Sequence, residues 1–177
     1  MIVITLQNGV TPALQRLQSM GQNLRPVMRA IGNELLSITK GNFSALGAEF
    51  RPHAWPAKSD GKPSNLRKTG TLAGSFRLTY GSHSATISTD RPYAQIHQFG
   101  GRTSPHVIRP RKAKALAFTS AKIGKTVIVR SVNHPGSNIP ARPFFPVVGD
   151  HLTPLAKTYV VRAAEDALHR MAQRQMA

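Results

Sequence analysis

The sequence predicts an α+β fold. A small, mostly antiparallel sheet packs against one long helix in the N-terminal half, and a second helix closes the C-terminal end. Three observations carry this. Leu24, Met28, Ile31, Leu35 and Ile38 recur at alternating spacings of four and three, the apolar stripe of an amphipathic helix. Between residues 76 and 132, short β-branched runs alternate and are broken by turn residues, the pattern of hairpins. Leu152, Leu155, Tyr159, Ala163, Ala167 and Met171 then return to helical spacing.

Taken in order, Ile2 to Leu6 reads as a short strand and Asn8-Gly9 as a turn. Thr11-Pro12 opens a short helix, as N-cap and first helical residue, and Gly21 ends it. The long helix runs from about Leu24 to Ala45, with Pro26 tolerated in its first turn. Residues 47–65 form a loop by composition, with Pro52, Pro56, Pro63, Gly61 and the single Trp, Trp55. Thr69 to Ser75 is a short helical turn. Phe76 to Tyr80 and Ala85 to Thr89 flank a turn as one hairpin. Pro92 starts a short helix through Phe99, stopped by Gly100-Gly101. Residues 101–110 are loop or edge strand. Ala115 to Ser120 and Thr126 to Val132 form a second hairpin around Gly124, and 134–146 is irregular. Asp150 is the N-cap candidate of the last helix, about 150–173. No repeat and no second domain are visible, so residues 1–177 read as one domain. Its expected mobile loops are 47–65 and 101–114, polar and short of apolar anchors.

The charge is one-sided. Lys and Arg number 24 against 7 Asp and Glu, a formal charge of +17. From Arg91 to Val148 there is no acid, while Arg91, Arg102, Arg109, Arg111, Lys112, Lys114, Lys122, Lys125, Arg130 and Arg142 all fall there. Such a field favours polyanions. Nucleic-acid backbone, an acidic protein surface and a plainly solvated basic face are the three readings open. The few aromatics do not interleave with the cations as in RNA-recognition motifs, so base-specific readout is not expected. With no cysteine, thiolate nucleophiles, disulfides and Cys-based zinc sites are excluded. No run approaches the ~18 apolar residues of a membrane span. The N-terminal residues lack a signal peptide's basic and small-residue pattern, so synthesis in a cytoplasm is expected.

Catalytic patterns are missing. Gly124-Lys125-Thr126 resembles the end of a P-loop, but Thr119 stands where the first glycine belongs. The histidines, His97 and His106 among them, form no metal-ligating spacing. Asp60, Asp90 and Asp150 fall in turns or caps, where aspartate serves the backbone. No acid–base pair is outlined. The expectation is a non-enzymatic protein with no cofactor and no metal.

Three loop motifs remain. Leu66 to Ser75 has the form L-x-x-T-G-x-L-x-x-S, with Thr69, Gly70, Leu72 and Ser75 as its marked positions. Tyr93 to Gly101 includes His97, Phe99 and Gly100. Ile139 to Phe145 contains Pro140, Arg142, Pro143 and Phe144. In this order, behind Trp55-Pro56, they resemble the tailed-phage virion morphogenesis and tail-completion family, which includes protein G of Mu-like phages and minor tail or neck components. The resemblance covers about residues 24–148. The acidic Pro-Asp-Gly-x-x-Trp loop frequent in that family is rearranged, since Trp55 precedes Asp60-Gly61. The resemblance implies a structural protein of a tailed phage or prophage, made in the bacterial cytoplasm and carried in the virion. It would act at the head–tail neck or tail end, in tail completion or head–tail joining. It would assemble with itself, in a closed ring, and with neck, connector or tail proteins. The rival reading is a nucleic-acid-binding protein using the basic 102–130 segment without sequence preference.

Residue chemistry adds expectations. Gly70 suits a special dihedral beside the core anchors Leu72 and Phe76. His97 caps a carbonyl or packs on Phe99 in preference to binding metal. Arg142, between Pro140 and Pro143, is either a fixed contact or a solvated cation. Phe144-Phe145 anchors this core or a neighbour's. Arg109, Arg111, Lys112 and Lys114 are the candidate contacts to DNA or to an acidic partner.

Overall fold

The computed structural model describes residues 21, 23–44, 48–58, 61–120 and 124–176. The expected strand at 2–6, the turn at 8–9, the helix from Thr11, the last residue of the long helix (Ala45), Asp60 and Lys122 lie outside them. Within them, contacts cluster into two compact units, residues 1–94 with 143–177, and residues 95–142.

In the first unit, α1 (Arg25–Gly41) packs against the hairpin β1 (Arg77–Tyr80) and β2 (Ala85–Ser88) and against α3 (Pro154–Met176). The α+β class and both long helices are as the sequence predicts. The stripe of α1 is wider than its apolar spelling. Ile31, Leu35 and Ile38 meet Ala156 and Val160 of α3. On the hairpin side lies Gly32. A Cβ there would fall 2.3 Å from a Leu78 methyl and 3.3 Å from Ala85, so its missing side chain is what lets the hairpin come this close. The hairpin alternates as a half-buried ribbon must. Leu78 pairs with Ile87 and Tyr80 with Ala85 on the covered face, while Arg77, Thr79, Thr86 and Ser88 face outward.

A second core is aromatic. Phe43, just past α1, stands 5.5 Å from Phe144, 5.7 Å from Phe76 and 5.8 Å from Trp55, between ring centroids. Leu72 and Ala94 complete this cluster.

α1 ends at Gly41, short of Ala45, because Asn42 is drawn into the core. Its side-chain amide donates to the Phe144 carbonyl at 2.8 Å. The last helix starts at Pro154, not at Asp150. Gly149-Asp150 forms the turn of a small hairpin, β9 (Val147–Val148) with β10 (His151–Leu152), and Gly149 supplies its positive φ of 57°. Thr153 takes the N-cap position. Its hydroxyl donates to the Phe50 carbonyl at 3.1 Å, so it ties the helix start to the 3-10 turn Ala48–Phe50.

The second unit opens with α2 (Ala94–Phe99), which straddles the boundary at its first residue. Gly100 stops it with φ 73°, the left-handed cap expected after a helix. Three strand pairs follow: β3 (Gly101–Arg102) with β8 (Asn138–Ile139), β4 (His106–Ile108) with β7 (Val132–His134), and β5 (Leu116–Thr119) with β6 (Thr126–Val129). Strands that the sequence places in one small sheet therefore occur, among the described residues, as separate antiparallel two-stranded pairs. Residues 101–110, which read as loop or edge strand, do supply strands, and these pair with residues 132–134 and 138–139, the latter within the stretch that reads as irregular. Among the described residues no helix is long and apolar enough to cross a membrane.

Candidate functional site

The register shows what the three pairs make. Gly101–Ile139, Arg102–Asn138, His106–His134, Val107–Asn133 and Ile108–Val132 all keep one frame. Leu116–Val129 through Thr119–Thr126 continue toward the tip in a shifted frame. Residues 101–119 and 126–139 thus run as the two antiparallel arms of one ribbon, paired in three stretches. Between Ile108–Val132 and Leu116–Val129, one strand spends residues 109–115 where the other spends only 130 and 131. That excess is a large bulge, and it contains Arg109, Arg111, Lys112 and Lys114, with Arg130 on the short side. All five are exposed. The four cations that the sequence singles out therefore occupy one irregular segment flanked by paired strands.

The ribbon has little to hold it. Among its described residues none is buried, and an isolated two-stranded hairpin is marginal in water. Leu116, Val129, Phe118 and Val127 share one face as two cross-strand pairs, and Phe118 is 42% exposed. On the opposite face Ile128 is 72% exposed.

The stem of the ribbon is better specified. The Thr103 N–H donates to the Ser137 carbonyl at 2.9 Å, and the Ser137 N–H donates to the Thr103 hydroxyl at 2.8 Å. Gly136 (φ 86°) packs directly on the Thr103 carbonyl. Its N–H donates to His134 Nδ1 at 3.1 Å, and the His134 ring stacks on His106 with centroids 5.0 Å apart. This His–His pair has no sequence spacing to announce it; only the register reveals it. At the foot, the Arg142 N–H donates to the His97 carbonyl at 2.7 Å. Arg142 is buried, at 8% exposure, which answers the solvated reading of that side chain. Gly100 has a second duty here, since a Cβ would come 2.9 Å from the Ala141 nitrogen. Pro140 is exposed and Phe99 is 73% exposed, so neither is a core residue.

Burial first, and the Arg142 charge second, hold His97 below its ordinary value of 6.5. The unfolded chain then binds a proton more readily than the folded one, so stability is full above about pH 6.5 and declines as pH falls below it. Melting temperatures measured between about pH 7.5 and about pH 5.5 should fall, and His97→Gln should make that fall shallower. An unchanged slope would remove His97 from the account.

The Thr69–Ser75 motif lies in the first unit and serves the aromatic core. Gly70 has φ 73°, and its carbonyl accepts from the Gly74 N–H at 2.9 Å. Thr69 and Thr71 hydroxyls are 2.8 Å apart. The Ser75 hydroxyl donates to the Leu72 carbonyl at 2.8 Å and meets the Thr89 hydroxyl at 2.6 Å, which joins the turn to the end of β2. Leu72 is thereby pressed into the core. Tyr93, just before α2, is 40% exposed. Phe144 is 0% exposed and belongs to this chain's own core. Pro143 is buried as well, and its carbonyl accepts from the Trp55 indole N–H at 2.8 Å.

Arg51 escapes sequence reasoning altogether. It donates to the Asn42 carbonyl through Nε at 2.8 Å and to the Ser44 carbonyl at 2.8 Å, and it lies 4.0 Å over the Trp55 ring. Burial lowers its proton affinity from the ordinary value. One cation thus clasps the end of α1 to the Trp-Pro loop. Among the described residues, no three His, Asp or Glu side chains gather in a way that would hold a metal ion.

Mu-like prophage FluMu G protein 2 of Haemophilus influenzae is 36% identical over 104 residues, which is 58% of this chain and 72% of that protein. No solved structure matches the chain. The sequence model of the phage virion morphogenesis family matches residues 6–158, from before the long helix into α3, and the chain belongs to that family.

Proposed function

We propose that this protein is a non-enzymatic structural component that acts at the head–tail neck or tail end of a phage particle. It would complete the tail or join it to the head by assembling with copies of itself, as a ring, and with neighbouring virion proteins. Family membership supports the broader part of this reading, a role in virion morphogenesis. The ribbon supports the finer part. It is long and acid-free, and none of its described residues is buried, so most of its stabilising contacts must come from outside it. A ring multiplies the repulsion of the Arg109–Lys114 bulge by the number of copies, so an anionic surface is expected opposite it.

The same bulge also favours a second reading, in which the ribbon coats nucleic acid. Phosphate contacts there would be blind to sequence and would weaken steeply with salt. Two measurements separate the readings. Sizing the pure protein at several concentrations should reveal discrete closed assemblies under the first reading; a monomer that shifts random duplex in a salt-dependent way supports the second. Replacing Arg109, Arg111, Lys112 and Lys114 together by Gln should block particle assembly if the bulge lies at a subunit seam. If it faces the DNA passage, particles should assemble normally and leak DNA. If assembly and DNA retention are both unchanged, the bulge is a solvated face.

A further inference from the structure

A second cationic feature lies in the first unit, far along the sequence from the ribbon. Helices α1 and α3 run antiparallel. Ile38, near the end of α1, meets Ala156 and Val160 near the start of α3. The opposite ends, Arg25 and Arg29 on α1 and Arg170 and Arg174 on α3, line one cleft of about 580 Å³. Its other lining includes Asn23 and Tyr80, and no carboxylate among the described residues. Arg25 lies over the Tyr80 ring at 5.6 Å. Among the described residues none of the four guanidiniums has an ion-pair partner: both ion pairs there go to Asp90.

Local helix physics explains only half of this. Arg170 and Arg174 sit at a C-terminal end, where the macrodipole favours cations. Arg25 and Arg29 sit at an N-terminal end, where it opposes them. That end has no acid in its first turn, and Leu24 at the N-cap offers no side-chain acceptor. Each helix also repeats arginine four residues apart, a like-charge spacing that disfavours the helix. Residues 1–33 contain no Asp or Glu; on α3 Asp166 stands four residues before Arg170, but the ion pairs of the described residues do not include that pair. Four forked cations are held around a concave space against the preferences of the elements that carry two of them.

We propose that this cleft is a binding site for a carboxylate-rich segment of a partner protein. Guanidinium forks match carboxylates bidentately. The volume lies within the range that takes small ligands and short side-chain clusters. The phosphates of a duplex lie on the outside of a rod and do not fill a concavity, so the cleft selects a protein segment over DNA. The segment belongs to another protein, because this chain nowhere places more than two acids in succession. That the partner is a virion component rests on the function proposed above; the binding chemistry does not.

The test uses the full chain and labelled hexaglutamate as the probe, with a short random DNA duplex in parallel. Arg25, Arg29, Arg170 and Arg174 are changed together to Gln in one variant. The four bulge cations are changed to Gln in the other. The cleft variant should bind hexaglutamate about tenfold more weakly or worse, while the bulge variant stays within about twofold of the parent. Circular dichroism should show the cleft variant folded and melting near the parent temperature, since the two repulsive pairs that are removed offset the macrodipole support lost at the end of α3. If that variant does not fold, Arg29→Gln with Arg170→Gln carries the same comparison. Equal losses in both variants would reduce the effect to net charge and overturn the proposal. Unchanged peptide affinity in the cleft variant would do the same, as would a loss confined to the duplex. No virion protein enters the assay, so a negative result here leaves the assembly role standing, and the reverse also holds.

Discussion

Replacing Phe144 by alanine should cost about 3–5 kcal/mol of folding stability, the range for removing a fully buried aromatic ring. Phe144 is 0% exposed and contacts Phe43, Phe76 and Phe145 with centroid separations of 5.5, 5.3 and 5.0 Å. Its backbone carbonyl would keep the Asn42 bond, so the loss reports the ring and the cavity it leaves. Against a typical total of about 5–15 kcal/mol, that removes about a fifth of the reserve or more. Urea unfolding checks it: the midpoint should fall with little change in slope. Phe99→Ala is the control. Its ring is 73% exposed, and a change there should stay within about 0.5 kcal/mol. A Phe144→Ala midpoint close to the parent's would refute the aromatic core as described.

The second large effect is expected at the stem of the ribbon. Gly136→Ala forces a left-handed dihedral on alanine, which costs about 1–2 kcal/mol by itself, and it places Cβ 2.1 Å from the Thr103 carbonyl oxygen. Backbone cannot step aside as a flexible side chain does. The Thr103–Ser137 bonds and the Gly136–His134 bond should open together. Because no described ribbon residue is buried, the damage should remain local instead of lowering the global melt. Hydrogen exchange at amides 101–108 and 132–139 should accelerate, and trypsin should cut at Arg102 and Arg130 well before Arg29 or Lys40 inside α1. Gly124→Ala separates the two causes. Gly124 has φ 64° and nothing within 4 Å of an added Cβ, so it carries the dihedral cost alone. If the two variants exchange at equal rates, the contact with Thr103 carries no weight.

The helices were readable because their apolar positions repeat at short intervals. Ile31, Leu35 and Ile38 show the face of α1 that meets α3, yet nothing in the residue string marks Gly32 as a contact. A glycine's contribution there is the space it leaves, and that is defined only by Leu78 and Ala85 opposite. The tip hairpin was readable for the same local reason, with β-branched residues on either side of Gly124. Its stem was not. Pro105, Pro135 and Gly136 look like loop residues, and the pairing of His106 with His134 is a matter of register across the tip. Asp150 was misread as a cap because a two-residue turn and an N-cap favour the same residue type.

Among the site residues, Leu72 and Phe144 proved to be internal anchors, and Arg142 proved to be buried. The four bulge cations were legible as a cluster but not as a bulge, since a bulge exists only relative to the partner strand. Arg51 could not have been found by any spacing rule. Its side chain meets two backbone carbonyls and one indole face, none of which leaves a trace in the pattern of residue types.

The unequal strand lengths on either side of the bulge have an evolutionary consequence. An insertion within an ordinary strand slips every later pair and turns its side chains to the wrong face. Between Ile108–Val132 and Leu116–Val129 the ribbon already absorbs that mismatch. Residues can be added to or removed from 109–115 without re-indexing the stem below or the tip above. Charge, length and reach of this segment are therefore free to drift while the rest of the fold is inherited intact. One scaffold can then be refitted to differently charged neighbours by editing a single stretch of codons.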